Sequence, residues 1–474
     1  MGRGNSPNFP LPFPSFGCVM PAPITHASSH LLLGVCAFTS LLVVPHSSRL
    51  AYATTAALAA LAAAQGAHAR ARCLAWRSGD PSGAVLGALA IPWLYASESD
   101  SLPFEIAVAM GIAQAIAIFK APDASTTHVL AAGAAVVGVA TCWSQRAAAA
   151  ITVAVYVVWW AGGHAKGSFT MGEAMAVGQV AGMLVLKAAD AATVPLPTAC
   201  ALPTLLPLAS PAWCGRPLAA AAAVAVAAFL TLSHAALPLA HLVLSHAALT
   251  ALWLAAIAAV APLAFLLRSR KLFHVLAAGL FAPPLSLSAR NDSTTIAYVA
   301  AASASMLSAF AAADVASRSF QHVIPSSLVS LFSRVTDDRD AGAVVWSHAA
   351  LLAGICAPTW LTTSSSIPLS PASTWLLVSG AASLGVGDTL ASAIGRRFGT
   401  IKIAANHPKT VEGTFAFLVG TSCMLFVCAP PPDFVMACKV VLCVMVSALL
   451  EASTDQLDNL FVPLHMYAIL SILQ

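Results

Sequence analysis

Charge is what this sequence has least of. Asp, Glu, Lys and Arg make up 8% of its 474 residues, against about a quarter in an average soluble domain. A chain so poor in charge cannot keep a globular surface hydrated, so the soluble and disordered classes are excluded together. Paired cysteine signatures are also missing. The eleven cysteines form no C-x-x-C and no Cys/His cluster, which argues against a zinc site or a disulfide framework. No G-x-x-x-x-G-K-[ST] stretch occurs, so a Walker A loop is excluded. A net charge of +4 is too small to suggest a nucleic-acid partner. The first residues carry no acid and lack the small-residue cleavage site of a secretory signal.

What is present is apolar. Hydrophobic residues reach 59% and mean hydropathy is +0.84. From about residue 30, apolar runs alternate with short polar breaks. At about 20 residues per crossing, they predict an all-α, polytopic transmembrane helix bundle of about 14 spans, with the lipid bilayer as its solvent. Residues 1–28, rich in Pro and Gly, read as a mobile N-terminal tail. Residues 29–265 read as an N-terminal transmembrane bundle, and 266–474 as a C-terminal transmembrane catalytic region.

The acids mark that last region. Eleven of the 18 lie beyond residue 290. The positive-inside rule puts the basic cluster Arg268-Ser-Arg270-Lys271 on the cytosolic side. Helices are expected at about 273–289, 295–312, 343–361, 373–394, 411–429, 435–450 and 460–473. Counting crossings returns three further charged patches to the same side: Asp337-Asp-Arg-Asp340, Arg396 to Lys409, and Glu451 to Asp458.

Three stretches there suit phosphoryl transfer: Gly385-Val-Gly387-Asp388, Gly395-Arg-Arg-Phe-Gly399, and Lys409-Thr410-Val-Glu412-Gly413-Thr414. Glycines let backbone N–H groups approach a phosphate, a lysine neutralises its charge, and carboxylates hold a divalent metal. A nucleotide-binding loop is therefore expected at about 385–414, although Gly385 and Gly387 equally suit close helix packing. Asp388, in or at the end of an apolar helix, is costly unless paired or functional. Glu451, Asp455 and Asp458 are spaced i, i+4, i+7, which on one helix makes a single acidic face suited to metal or proton. Asp337 to Asp340 fits a helix N-terminal cap, and His274 an interfacial packing residue or an acid–base group.

In order and spacing, Arg270-Lys-Leu-Phe-His274, Asp337-Asp-Arg-Asp340-Ala-Gly342, Ala357-Pro-Thr-Trp360-Leu, Gly385-Val-Gly-Asp388-Thr-Leu-Ala-Ser392, Lys409-Thr-Val-Glu412-Gly-Thr414 and Asp455-Gln-Leu-Asp458-Asn-Leu460-Phe-Val-Pro463-Leu together resemble the dolichol kinase family. The resemblance covers about 268–474. It implies a multi-pass enzyme of the endoplasmic reticulum membrane with its active site facing the cytosol. Such an enzyme transfers the γ-phosphoryl of CTP to the terminal hydroxyl of dolichol, using Mg2+ or another divalent cation. The product, dolichyl phosphate, is the lipid carrier for protein N-glycosylation. The resemblance carries CTP binding onto Gly399, Lys409, Thr410, Glu412, Gly413 and Thr414. With the residue chemistry above, it makes Asp388, Lys409, Asp455 and Asp458 the candidate catalytic residues. Gly385 and Gly387 join the candidate nucleotide contacts, and Asp388 and Glu412 are the candidate metal ligands. The segment 400–408 departs from the family pattern, and Gly395-Arg-Arg-Phe-Gly399 resembles the phytol and farnesol kinases, the alternative reading. A multi-pass transporter is the rival from another class; no inverted repeat between the two halves supports it.

Overall fold

Runs of Ala, Leu and Val satisfy every backbone group within the segment only as helices, which is what an apolar solvent demands. The computed structural model describes Gln114 and residues 145–165, 167–190, 240–267, 269–288, 292–319, 347–363, 371–403, 408–454 and 458–473. These residues form helices α1 (Gln145–His164), α2 (Met171–Asp190), α3 (Ala247–Leu266), α4 (Arg270–Ser288), α5 (Ser293–Ser319), α6 (Ser347–Thr363) and α7 (Pro371–Gly380). A π-helical segment, π1 (Ala381–Asp388), follows, and then α8 (Thr389–Phe398), α9 (Val411–Cys428), α10 (Phe434–Ser453) and α11 (Asp458–Ser471). The expected all-α class holds among the described residues, where the only β pairing is an isolated bridge between Lys402 and Thr410.

Among the described residues, five stretches are long and apolar enough to cross a membrane: Ala247–Leu266, Lys271–Ser288, Ala372–Phe398, Val411–Cys428 and Phe434–Ser453. The expectation of about 14 spans extends over residues outside those described, as do the tail 1–28, most of the N-terminal bundle and Asp337 to Asp340. The C-terminal helices fall where the hydrophobic runs put them. One local difference matters: the run 373–394 is not a uniform α-helix, because α7 widens into π1 before α8 resumes. π segments are rare and occur mostly as single wide turns, frequently at functional sites.

Outward and interior faces separate clearly. Large apolar side chains stand outward, among them Val427 and Phe434, both 81% exposed, whereas Trp375, Phe417, Phe461 and Tyr467 are fully buried. Several buried polar groups are satisfied within the bundle. Trp375 Nε1 donates to the Ala429 carbonyl at 2.8 Å, Trp360 Nε1 to that of Ala300 at 3.1 Å, and Ser447 Oγ pairs with His465 Nδ1 at 3.0 Å. In the N-terminal part, Thr170 and Glu173 form a reciprocal capping box at the start of α2. Gln114 ties α1 to α2 through the Ala154 and Met175 carbonyls.

The packing that positions the site centres on π1, which lies against α4 and α9, while α6 packs on α11 and α8 crosses α9. Glycine makes these approaches possible. A Cβ on Gly385 would meet Ala278 of α4, one on Gly387 would meet Thr421 and Phe417 of α9, and one on Gly354 would meet the Asn459 carbonyl of α11.

Candidate active site

Each functional side chain is delivered by an element end. Lys271 and His274, three residues apart in the first turns of α4, share the face turned to π1. Gly385 lets α4 come close enough that Lys271 forms an ion pair with Asp388, the last residue of π1. His274 Nε2 lies 3.4 Å from Asp388 Oδ2 and 3.3 Å from Asn459 Oδ1. His274 thus sits within reach of both the Asp388 carboxylate and the Asn459 amide.

Lys409 enters from the loop before α9. This loop is a short hairpin: Val411 N–H donates to the Ile401 carbonyl at 2.9 Å and Ile403 N–H to that of Lys409 at 3.2 Å. Its ammonium lies 2.5 Å from Glu451 Oε1 and 3.7 Å from Asp458 Oδ2, and it also donates to the Glu451 backbone carbonyl. Burial works against the charged lysine, but the carboxylates of Glu451 and Asp458 outweigh it and raise its pKa above the ordinary value. The ammonium is retained at neutral pH.

Carboxylate oxygens of Asp388, Glu451 and Asp458 all lie within 4.8 Å of one another. Asp388 and Glu451 are 6% exposed at the side chain and Asp458 18%. Three carboxylates therefore face two ammonium groups, Lys271 and Lys409, in a largely desolvated setting, leaving negative charge in excess. Hard oxygen donors crowded in this way are the ligand type that Mg2+ and Ca2+ take, and the donor set fits a divalent cation.

Not every expected residue joins this cluster. Glu451, Asp455 and Asp458 do not form the face of one helix: α10 ends at Ser453 with Thr454 extended, and α11 begins afresh at Asp458. The chain break, not an i, i+7 repeat, brings Glu451 and Asp458 together. Asp455 lies outside the described residues. Glu412 also sits elsewhere. Its Oε1 accepts from Thr400 N–H at 2.8 Å and Ile401 N–H at 3.1 Å, and the Thr400 hydroxyl donates to it as well. It braces the chain leaving α8 and is not among the three clustered acids.

The glycines are explained by contact. Gly385 and Gly387 face α4 and α9, in the close-packing role. Gly399 and Gly413 lie against Thr410: a Cβ on Gly413 would come within 2.8 Å of the Ala391 carbonyl and 3.2 Å of Thr410 Oγ1, and one on Gly399 would strike the Gly395 carbonyl. Thr410 caps α9, its Oγ1 accepting from Gly413 N–H at 3.2 Å, and the Thr414 hydroxyl donates to the Thr410 carbonyl at 3.1 Å. The Lys-Thr-x-Glu-Gly-Thr stretch is thus a helix N-terminus built on a tight α8–α9 crossing, with Lys409 aimed from it into the acids. Arg396 and Arg397 end α8 exposed, where cations complement the helix dipole.

Sequence reasoning had offered Glu451 as part of an acidic group but had not assigned Lys271 or Asn459 to the site. The i, i+3 spacing of Lys271 and His274 was a usable signal. The pairing partners were not, because they come from helices more than a hundred residues away.

Comparison with known proteins bears on this site. A 208-residue stretch, 42% of the chain, is 30% identical to dolichol kinase EVAN of Arabidopsis thaliana, of which it covers 34%. A 140-residue stretch, 28% of the chain, is 37% identical to dolichol kinase sec59 of Schizosaccharomyces pombe and covers 26% of it. A 151-residue stretch, 30% of the chain, is 31% identical to human dolichol kinase and covers 28% of it. The chain thus matches about a third or less of the length of these curated relatives. No protein-family model matches it, and no solved structure does. The resemblance to dolichol kinases read from the ordered motifs is present in the relatives.

Proposed function

We propose that this protein is a CTP-dependent dolichol kinase of the endoplasmic reticulum membrane whose active site, facing the cytosol, is the cluster of Asp388, Glu451, Asp458, Lys271 and Lys409. The observation that carries the reading is the convergence of three of the four charged patches at one end of the bundle, in a chain similar to dolichol kinases.

Asp388, Glu451 and Asp458 would hold a divalent cation such as Mg2+. When bound, it neutralises charge on the β- and γ-phosphates. Lys271 and Lys409, held at the same cluster, would direct their ammonium groups at the phosphate oxygens. The N-terminus of α9 adds a positive dipole end for the nucleotide. The dolichol hydroxyl oxygen attacks the γ-phosphorus in line. A new C–O–P bond forms, the β–γ bridging bond breaks with CDP as leaving group, and the hydroxyl proton passes to a carboxylate. We assign that proton to Asp458, the most open of the three acids. Low water content around these groups strengthens each electrostatic contact.

The test is phosphorylation of dolichol, farnesol and phytol by membranes containing the protein, with labelled CTP or ATP and a Lys409→Ala control. CTP-dependent, Lys409-dependent label on dolichol is expected. Label on the short prenols alone would move the protein to the phytol and farnesol kinases. No label on any alcohol would remove the kinase reading.

A further inference from the structure

Beyond the charged cluster, α9 and α10 line an open groove of about 360 Å³. Its floor is small: Ala448 and Ala452 are both 1% exposed. Its walls are large, formed by Phe415 and Leu418 of α9 and Met445 and Leu449 of α10, with Phe415 63% and Met445 40% exposed. Positions 445, 448, 449 and 452 follow i, i+3, i+4, i+7, so α10 presents one continuous face to it. From Met445 to Ala452 that face runs about 10 Å along the helix.

The groove is not uniformly apolar. Its polar lining groups, Lys402 and Thr414, gather at the end nearer the hairpin. There Ala452 lines the groove while the adjoining Glu451 turns into the carboxylate cluster. The same last turn of α10 therefore serves both, and Lys409 reaches across it to the Glu451 carbonyl. A ligand matched to this polarity has a long apolar body and a single polar terminus placed at the Lys402 end.

We propose that the α9–α10 groove is the seat of the polyisoprenoid alcohol, holding its first isoprene units with the hydroxyl end directed past Ala452 toward Glu451 and Asp458. This rests on the kinase reading above. The remainder of the chain lies in the bilayer, so the groove reads the proximal units and is indifferent to total length.

The test uses the unmodified protein in its membrane, with a prenol carrying a photoreactive diazirine near its hydroxyl end. Crosslinks are expected on peptides containing Phe415, Leu418, Met445 or Leu449, competed by dolichol and not by added phospholipid. In parallel, Ala448→Leu, which fills the floor, is expected to raise KM for dolichol about tenfold or more, the scale set by misfit in an apolar pocket. KM for CTP should stay unchanged. Phe415→Ala, at an exposed wall that the fold does not need, should shift KM for dolichol alone, and Val427→Leu, outside the groove, should shift nothing. Equal competition by phospholipid would make the groove a general lipid contact and overturn the proposal. So would normal phosphoryl transfer with crosslinks elsewhere, and in that case the kinase reading stands. Dolichol-competed crosslinks in the groove without any phosphoryl transfer would overturn the kinase reading and leave the groove as a prenol site.

Discussion

The ammonium of Lys409 lies 2.5 Å from Glu451 Oε1 and also reaches the Glu451 backbone carbonyl, so one lysine joins the loop before α9 to the last turn of α10. The contact closes the site from the hairpin side, as Lys271 on Asp388 closes it from α4. Each cation neutralises a carboxylate that would otherwise be stranded in an apolar bundle.

Removing Lys409 should cost both stability and activity. Lys409→Ala leaves Glu451 buried without its partner, which destabilises by about 3–5 kcal/mol. Lys409→Met combined with Glu451→Gln should recover part of that stability, because Glu451 is then no longer a buried unpaired charge, yet remain inactive. Thermal unfolding in detergent beside phosphoryl transfer separates the two effects. Recovery of activity in the double variant would contradict a phosphate-facing role for the lysine.

Asp388→Asn keeps the shape and hydrogen-bonding capacity of the side chain but removes its charge. Turnover should fall at least about 100-fold, the scale of losing one preorganised charge-stabilising group. The divalent-cation concentration for half-maximal rate should rise. A full-rate Asp388→Asn protein with unchanged metal dependence would take this residue out of the site.

Gly385 distinguishes packing from nucleotide contact. Gly385→Ala drives a Cβ against Ala278 and should destabilise by about 1–3 kcal/mol through overpacking. Adding Ala278→Gly makes room and should restore both stability and activity. A backbone contact to phosphate at Gly385 would not be rescued by a change on α4.

Glu412 is expected to act through the hairpin. With its carboxylate accepting from Thr400 and Ile401, Glu412→Gln should loosen the chain that carries Lys409 and raise KM for CTP. The response to divalent cation should stay as in the parent protein. A selective change in metal dependence would instead return Glu412 to the ligand set.

Asp292 supplies a pH test far from the chemistry. Hydrogen bonds from the Thr294 and Thr295 side chains, helped by their backbone N–H groups, hold its pKa down at about 2. A carboxylate depressed in the folded state contributes stability above its unfolded pKa, about 3.9, and loses it as pH falls through the folded value. Asp292→Ala, which removes this cap from α5, should lower stability by about 1 kcal/mol at neutral pH. The difference from the parent should shrink toward pH 2, as measured by acid titration of thermal unfolding.

Much of this was legible in the chain itself. The poverty of charge fixed a helical membrane class, since only helices or closed barrels satisfy the backbone in lipid. The helix positions after residue 270 followed from apolar run length. Counting crossings brought Lys271, Lys409 and Glu451 to one side of the bundle. Ordered motifs pointed to the family, because six short matches in sequence are far more specific than any one.

Which groups touch was decided by the tertiary structure. Spacing allowed Glu451, Asp455 and Asp458 to share one helix face, whereas a break after Ser453 brings Glu451 and Asp458 together from two helices. Glycine composition allowed phosphate binding at Gly385 and Gly387, whereas helix contact with Ala278 and Phe417 uses both. Glu412 carried the right chemistry for a metal, but the hairpin claimed its carboxylate. Sequence determines what each residue can do and on which side of the bundle it sits. Pairing across more than a hundred residues depends on side-chain shape at helix crossings, a property of the packed bundle that no local spacing encodes.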